Sequence, residues 1–254
     1  MVDALHVHSY GSVDAPPVLF LHGITGHGAR FRRLAEDHLR EYQVIAPDLR
    51  GHGRSDRLPP WTFEQHAADL LHLIDSRNLG PIPVVAHSFG ALVALHLARL
   101  APQRVRRLVL LDPAVHIPPA KALEYAQAST VVRATRADAI GTQRFDWPDE
   151  PDEHIEEEVD ANWVEVDGTW RPRYCPEALI TAWSEMCRAP QLPPPGVSTL
   201  LVRATREDFV SPEYINACRF ALGDDFRLVS VDLSHMMYLD DPQGTAELID
   251  GFIA

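Results

Sequence analysis

Ser88 stands between two apolar runs, in Val84-Val85-Ala86-His87-Ser88-Phe89-Gly90-Ala91-Leu92. A serine hydroxyl is a weak nucleophile near neutral pH and attacks a carbonyl only with a base beside it. His235, in Asp232-Leu233-Ser234-His235, is the only histidine after His154 and is the candidate base. A carboxylate must then hold its imidazole in the right tautomer and stabilise the cation. Asp208 is the favoured acid; it lies in Glu207-Asp208-Phe209-Val210-Ser211-Pro212, after the strand-like run Leu200-Leu201-Val202-Arg203-Ala204. Asp112, which also ends a strand-like run, is the alternative. The blander reading of Ser88 is a helix N-cap, and that of His235 a loop histidine with satisfied hydrogen bonds.

These residues work together only if the fold brings them together. Pro17–His22 and Gln43–Pro47 read as buried parallel strands, short, apolar and bounded by Gly, Pro or Asp. Ile82–Ala86, Val105–Leu111, Thr199–Ala204 and Arg227–Leu233 read the same way. Between them, Ala29–Leu39, Thr62–Arg77, Phe89–Leu100, Pro212–Leu222 and Gln243–Ile253 carry apolar residues at helical spacing. The alternation predicts an α/β fold: a mostly parallel, doubly wound sheet with helices on both faces. In such a sheet functional groups gather beyond the carboxyl ends of the strands, where Ser88 is expected. A sharp strand-to-helix turn there demands small residues two positions either side; Gly90 meets that fully and Ala86 nearly.

The rhythm breaks after Asp112-Pro113. From there to about Pro195 the chain is rich in Trp, Pro and acidic residues and lacks buried-strand runs. Ile155, Val159 and Trp163, and again Leu179, Trp183 and Cys187, are spaced by four, as on helices. Between the two sets, Trp163–Trp170 reads as a hairpin about Asp167-Gly168. Residues 1–113 and 196–254 are therefore expected to form one domain, with 114–195 inserted into it.

Taken together, the landmarks resemble the α/β-hydrolase fold superfamily. They are His22-Gly23 after a strand, Asp48-Leu49-Arg50-Gly51-His52-Gly53-Arg54-Ser55, the Ala86-His87-Ser88-Phe89-Gly90 elbow, Asp208 with Val210-Ser211-Pro212, and His235 followed by Asp241-Pro242. They span nearly the whole chain in the family's order. The resemblance implies an oxyanion hole from the backbone N–H groups of Ile24 and Phe89, and a cap at 114–195 that shapes substrate choice. It implies a cofactor-independent serine hydrolase, an esterase or lactonase acting on an ester or lactone with an apolar portion. The same triad also serves hydrolysis of carbon–carbon bonds in vinylogous diketones, perhydrolysis, or a receptor-like member with little turnover. His22 and His87 flank the expected site as structural or substrate-contacting groups. Trp147, Trp183 and Met236 are expected to line the substrate pocket.

Composition narrows the partners to a small molecule. A net charge of −13 argues against nucleic-acid and anionic-membrane surfaces. Nine of the 36 acidic residues fall in Asp146–Asp160, expected as a solvated face. No run approaches the ~20 apolar residues of a membrane helix, and a basic-then-apolar leader pattern is lacking, so a soluble cytoplasmic protein is expected. Cys175, Cys187 and Cys218 form no CxxC pair and read as structural thiols. His6 and His8 alternate as on a strand, and with no HExxH motif or clustered carboxylates beside them no metal site is expected.

Overall fold

The computed structural model describes residues 5–254. Strands β1 (Val7–Tyr10), β2 (Pro17–Leu21), β3 (Gln43–Pro47), β4 (Ile82–His87), β5 (Val105–Leu111), β8 (Ser198–Ala204) and β9 (Phe226–Val231) form one sheet. Their order is β1-β3-β2-β4-β5-β8-β9, and every pairing is parallel except β1 with β3. Side chains alternate between the two faces with the strand period of two. Leu19, Leu21, Val84, Ala86, Leu108 and Leu110 join one core, packed under α1 (Phe63–Ser76), α2 (Phe89–Leu100) and α7 (Pro212–Leu222). Val18, Phe20, Val85, Val109 and Leu111 join the other, beneath α9 (Pro242–Ile253) and the segment around Phe31 and Leu34.

Local sequence explains the element ends. Thr62 caps α1 by accepting from the Gln65 N–H, and Ser211 caps α7 by accepting from the Tyr214 N–H. The segment expected as one helix from Ala29 to Leu39 is instead a 3₁₀ turn at Gly28–Phe31 and a π-helical turn at Leu34–His38. Phe31, Leu34, Ala35 and Leu39 are buried as their spacing implies, whereas His38 is exposed. Tertiary contacts shape this stretch: the Gly28 N–H is drawn to Asp48 Oδ1 (2.7 Å) and Arg30 to Glu158.

Between β5 and β8 run α3 (Pro119–Ala128), α4 (Arg136–Asp146), α5 (Asp152–Asn162), the hairpin β6 (Trp163–Val166) and β7 (Thr169–Pro172), and α6 (Pro176–Glu185). The hairpin turns at Asp167 and Gly168, both at positive φ (51° and 74°), the combination an Asp-Gly turn favours. The sequence pattern did not call for α3 and α4. Only Ala122 of α3, and Ala139 and Gln143 of α4, are buried, too few to mark an amphipathic stripe. A short α8 (Met237–Asp240) follows β9.

A buried ion cluster ties the insertion to the sheet domain. Glu158 on α5 accepts from His27 Nε2 (3.0 Å) and from Arg30 Nε and Nη2 (3.0 and 2.7 Å). Asn162, one turn later, donates through Nδ2 to Glu158 Oε1 and to the Thr25 carbonyl. Burial opposes the Glu158 charge, but Arg30 and His27 outweigh it and hold its carboxyl at about 2. By contrast Glu157, with Arg32 and Arg33, is exposed, and such pairs contribute little. Because the folded-state carboxyl sits below its ordinary value, its stabilisation is complete above pH 4.5 and is lost as pH falls towards 2. Glu158→Gln, which leaves Arg30 buried without a counter-charge, is expected to destabilise by about 3–5 kcal/mol at neutral pH. It should also flatten the loss of stability below pH 4.5, measured by urea unfolding across pH; an unchanged slope would assign that acid sensitivity elsewhere.

Candidate active site

Ser88 follows β4 directly and precedes α2, at φ 53° and ψ −120°. A non-glycine residue there is strained, by about 1–3 kcal/mol, and persists only where its surroundings enforce it. Here they do. A Cβ on Gly90 would lie 2.4 Å from the His22 carbonyl oxygen, so backbone approaches too closely for any side chain. A Cβ on Gly23 would meet His87 Nδ1 at 3.0 Å and Ser88 Cβ at 3.1 Å. Ala86 is fully buried in β4 between Leu21 and Leu110 of the flanking strands. Ser88 occupies the N-cap position of α2 but makes no capping bond through its side chain, so its hydroxyl is available for something else.

That hydroxyl lies 2.8 Å from His235 Nε2, and His235 Nδ1 lies 2.6 Å from Asp112 Oδ2. A carboxylate can only accept, so Nδ1 carries the proton and Nε2 accepts from the Ser88 O–H. Asp112 is fully buried and its other oxygen accepts from the Ala204 N–H (3.1 Å). The expected acid, Asp208, does not take part. It is exposed, while the next residue, Phe209, packs its ring 4.5 Å from that of His235. Topology explains the correction. β5 is the immediate neighbour of β4, with His87 opposite Leu111, so the residue after β5 falls beside the residue after β4. Asp208 comes only after a turn beyond the end of β8, one strand further out.

The two flanking histidines divide. His87 Nε2 donates to the carbonyl of His235 (2.8 Å), bracing the base from behind, and burial keeps its pKa well below the ordinary value. His22 does not line the cavity in front of Ser88; of the two roles expected for it, the substrate-contacting one is not met and the structural one is. It is fully buried, donates from Nδ1 to the Gly23 carbonyl and accepts from the Leu49 N–H at Nε2 (2.9 Å). Burial and the neighbouring His52 hold it neutral, so it is a strut for the loop His22–Gly26. Ile24, in that loop, borders the cavity. Phe89 is the first residue of α2, so its N–H is one of the donors the helix leaves unpaired.

The cavity at Ser88 measures about 280 Å³. Trp147, Trp183, His87 and Met236 line it, as does Phe209. Arg30, Tyr125, Gln143 and Asn162 also border it and carried no signal in the sequence. Tyr125 and Gln143 belong to α3 and α4, whose patterning is weak, and Arg30 is drawn inward by Glu158, far away in sequence. Among the described residues no helix is long and apolar enough to cross a membrane. Cys175, Cys187 and Cys218 are unpaired.

Sheet order, elbow and hydrogen-bonded serine and histidine define a class, and residues 16–146 match the family model described as alpha/beta hydrolase fold. The chain belongs to the alpha/beta hydrolase fold family and is a hydrolase with lipase and esterase relatives. One relative, Lipase LipV of Mycobacterium tuberculosis, is 38% identical over 98% of this chain and 97% of its own. Among solved structures, a marine microorganism esterase superposes with a TM-score of 0.81 at 22% identity, over 98% of each chain. An E-2-(acetamidomethylene)succinate hydrolase gives 0.81 at 25% identity, over 98% of this chain and 94% of its own.

Replacing the acid tests the hydrogen-bond chain. Asp112→Asn is expected to lower turnover by up to about 10⁴-fold, the usual effect of losing the charge behind a catalytic histidine. Asp208→Asn should stay within about twofold of wild type. Steady-state kinetics on any accepted ester compares them, and a larger loss at Asp208 would reverse the assignment.

Proposed function

We propose that this chain hydrolyses a carboxylic ester or lactone through an acyl-enzyme on Ser88. The observation that carries the reading is the unbroken sequence Ser88 Oγ, His235 Nε2, His235 Nδ1, Asp112 Oδ2, with contacts of 2.8 and 2.6 Å, opening on a cavity. Ser88 attacks the carbonyl as His235 takes its proton, and Asp112 stabilises the imidazolium. The amides of Ile24 and Phe89 hold the developing oxyanion; losing one such donor typically costs about 10²–10³ in turnover. His235 then protonates the leaving alkoxide and activates water to release the acid. A receptor-like member would have no need for the strain held at Ser88, which favours turnover.

Substrate choice follows from the cavity. Trp147, Trp183, Phe209 and Met236 give it apolar walls, suited to an apolar acyl or ring portion. Its 280 Å³ lies at the low end of small-molecule sites, about 300–1,000 Å³, which favours a compact ester over a long-chain lipid. The insertion at 114–195 acts as the cap, since it supplies more than half of the residues that line the cavity, from Ala114 to Trp183. LipV and the marine esterase are named for ester cleavage, which agrees with the reading.

A fluorophosphonate probe should label wild type stoichiometrically and leave Ser88→Ala unlabelled. Equal labelling of both would end the proposal. Across an acyl series, short and medium esters are expected to exceed long-chain ones in kcat/KM; preference for long chains would refute the size argument.

A further inference from the structure

Away from the cavity, the fold assembles His6, His8 and Asp48, one donor atom from each lying within 4.8 Å of the others. His8 lies on the edge strand β1 and His6 immediately precedes it, two residues away and so on the same face. Their rings touch edge to face, with centroids 4.7 Å apart. The antiparallel register of β1 with β3 sets Val7 opposite Pro47, and the Asp48 N–H donates to the His6 carbonyl (2.8 Å). This places an acidic side chain, 40 residues away in sequence, against the His-x-His pair. We propose that His6, His8 and Asp48 form a binding site for one divalent transition-metal cation, zinc being the best match.

Three features carry this. The His8 Nε2 to Asp48 Oδ1 distance is 3.1 Å. Two ligands on a tetrahedral zinc with bonds of about 2.0–2.1 Å are separated by about 3.3 Å, so this edge is already set. A cation replaces the proton now shared between them. Both partners are pinned: the His6 main chain donates its N–H to Ser55 Oγ (2.8 Å), and the Asp48 carboxylate accepts from the Gly28 and Arg54 N–H groups (2.7 and 2.9 Å). Only the His6 ring must turn to close the set. Finally, Asp48 is buried while both histidines are partly exposed, so a cation enters from the sheet edge and keeps water as its remaining ligand. Two imidazoles and one carboxylate favour zinc, cobalt, nickel or copper over magnesium or calcium.

None of the three residues borders the cavity at Ser88, so the cation is not placed to act on the ester. Its effect is mechanical. Asp48 holds Gly28, and Leu49 beside it holds His22, the two ends of the loop that carries Ile24. A bound cation ties the edge strand to that loop.

The test uses the untagged full chain, stripped with a chelator and dialysed. Titration with Zn²⁺ by calorimetry should show one equivalent bound, and Co²⁺ should develop the visible absorption of a four-coordinate N/O site. Saturating Zn²⁺ should raise the thermal midpoint by several degrees. His6→Gln and His8→Gln should each weaken binding at least tenfold and abolish that rise, with fluorophosphonate labelling of Ser88 unchanged. The His6 side chain makes no hydrogen bond among the described residues, so His6→Gln remains decisive if His8→Gln unfolds. Absence of stoichiometric binding at about 100 μM, or equal binding by His6→Gln, would overturn the site.

Discussion

The backbone at Ser88 is the constraint on which the site depends. Its positive φ exposes a hydroxyl at the end of the central strand and starts α2 behind it, in one residue. The turn survives because Gly90 sits against the carbonyls of Leu21 and His22, and Gly23 against Ser88 and His87. Two neighbouring strand ends, those of β2 and β4, are thus locked together at Ser88. A side chain at Gly90 would push backbone, and one at Gly23 would press on the Ser88 and His87 side chains. Strain of this kind is tolerated where the surrounding core over-determines it, and β4 is buried along its entire length.

Around that elbow, histidines serve as struts as well as chemistry. His22 fixes the loop His22–Gly26 to Leu49, and His87 fixes the backbone of His235. Both are buried and held neutral, so neither competes with His235, the histidine that Asp112 contacts. The same economy appears at the insertion. Glu158 reaches Arg30 and His27, next to the loop His22–Gly26, and Asn162 reaches the Thr25 carbonyl within it. The wall over the site and the floor beneath it therefore share one polar anchor.

Much of this was legible in the residue order. Alternating apolar runs specify the parallel strands and their helices because buried strands and amphipathic helices have distinct periods. Asp167-Gly168 announced its hairpin because both positions adopt positive φ. Ser88 and His235 stood out because each follows a strand-like run, and they meet at 2.8 Å. By contrast, α3 and α4 were silent, since a thin helix layer buries too few residues to leave a stripe.

What the sequence by itself determined, then, was the set of elements and the residue types arriving at their carboxyl ends. Which of those residues touch was decided by tertiary structure. Asp112 and Asp208 both follow strands, and only the order β4-β5-β8 makes Asp112 the partner of His235 while Phe209 turns inward and Asp208 outward. His22 looked like a site residue and became a strut, because its ring points into the packed loop and not the cavity. His6 and His8 looked like an isolated pair until the antiparallel edge set Asp48 beside them. The physical reason is common to all three: strand adjacency and register are long-range properties, fixed by how whole hydrophobic faces pack and not by any local run of residues.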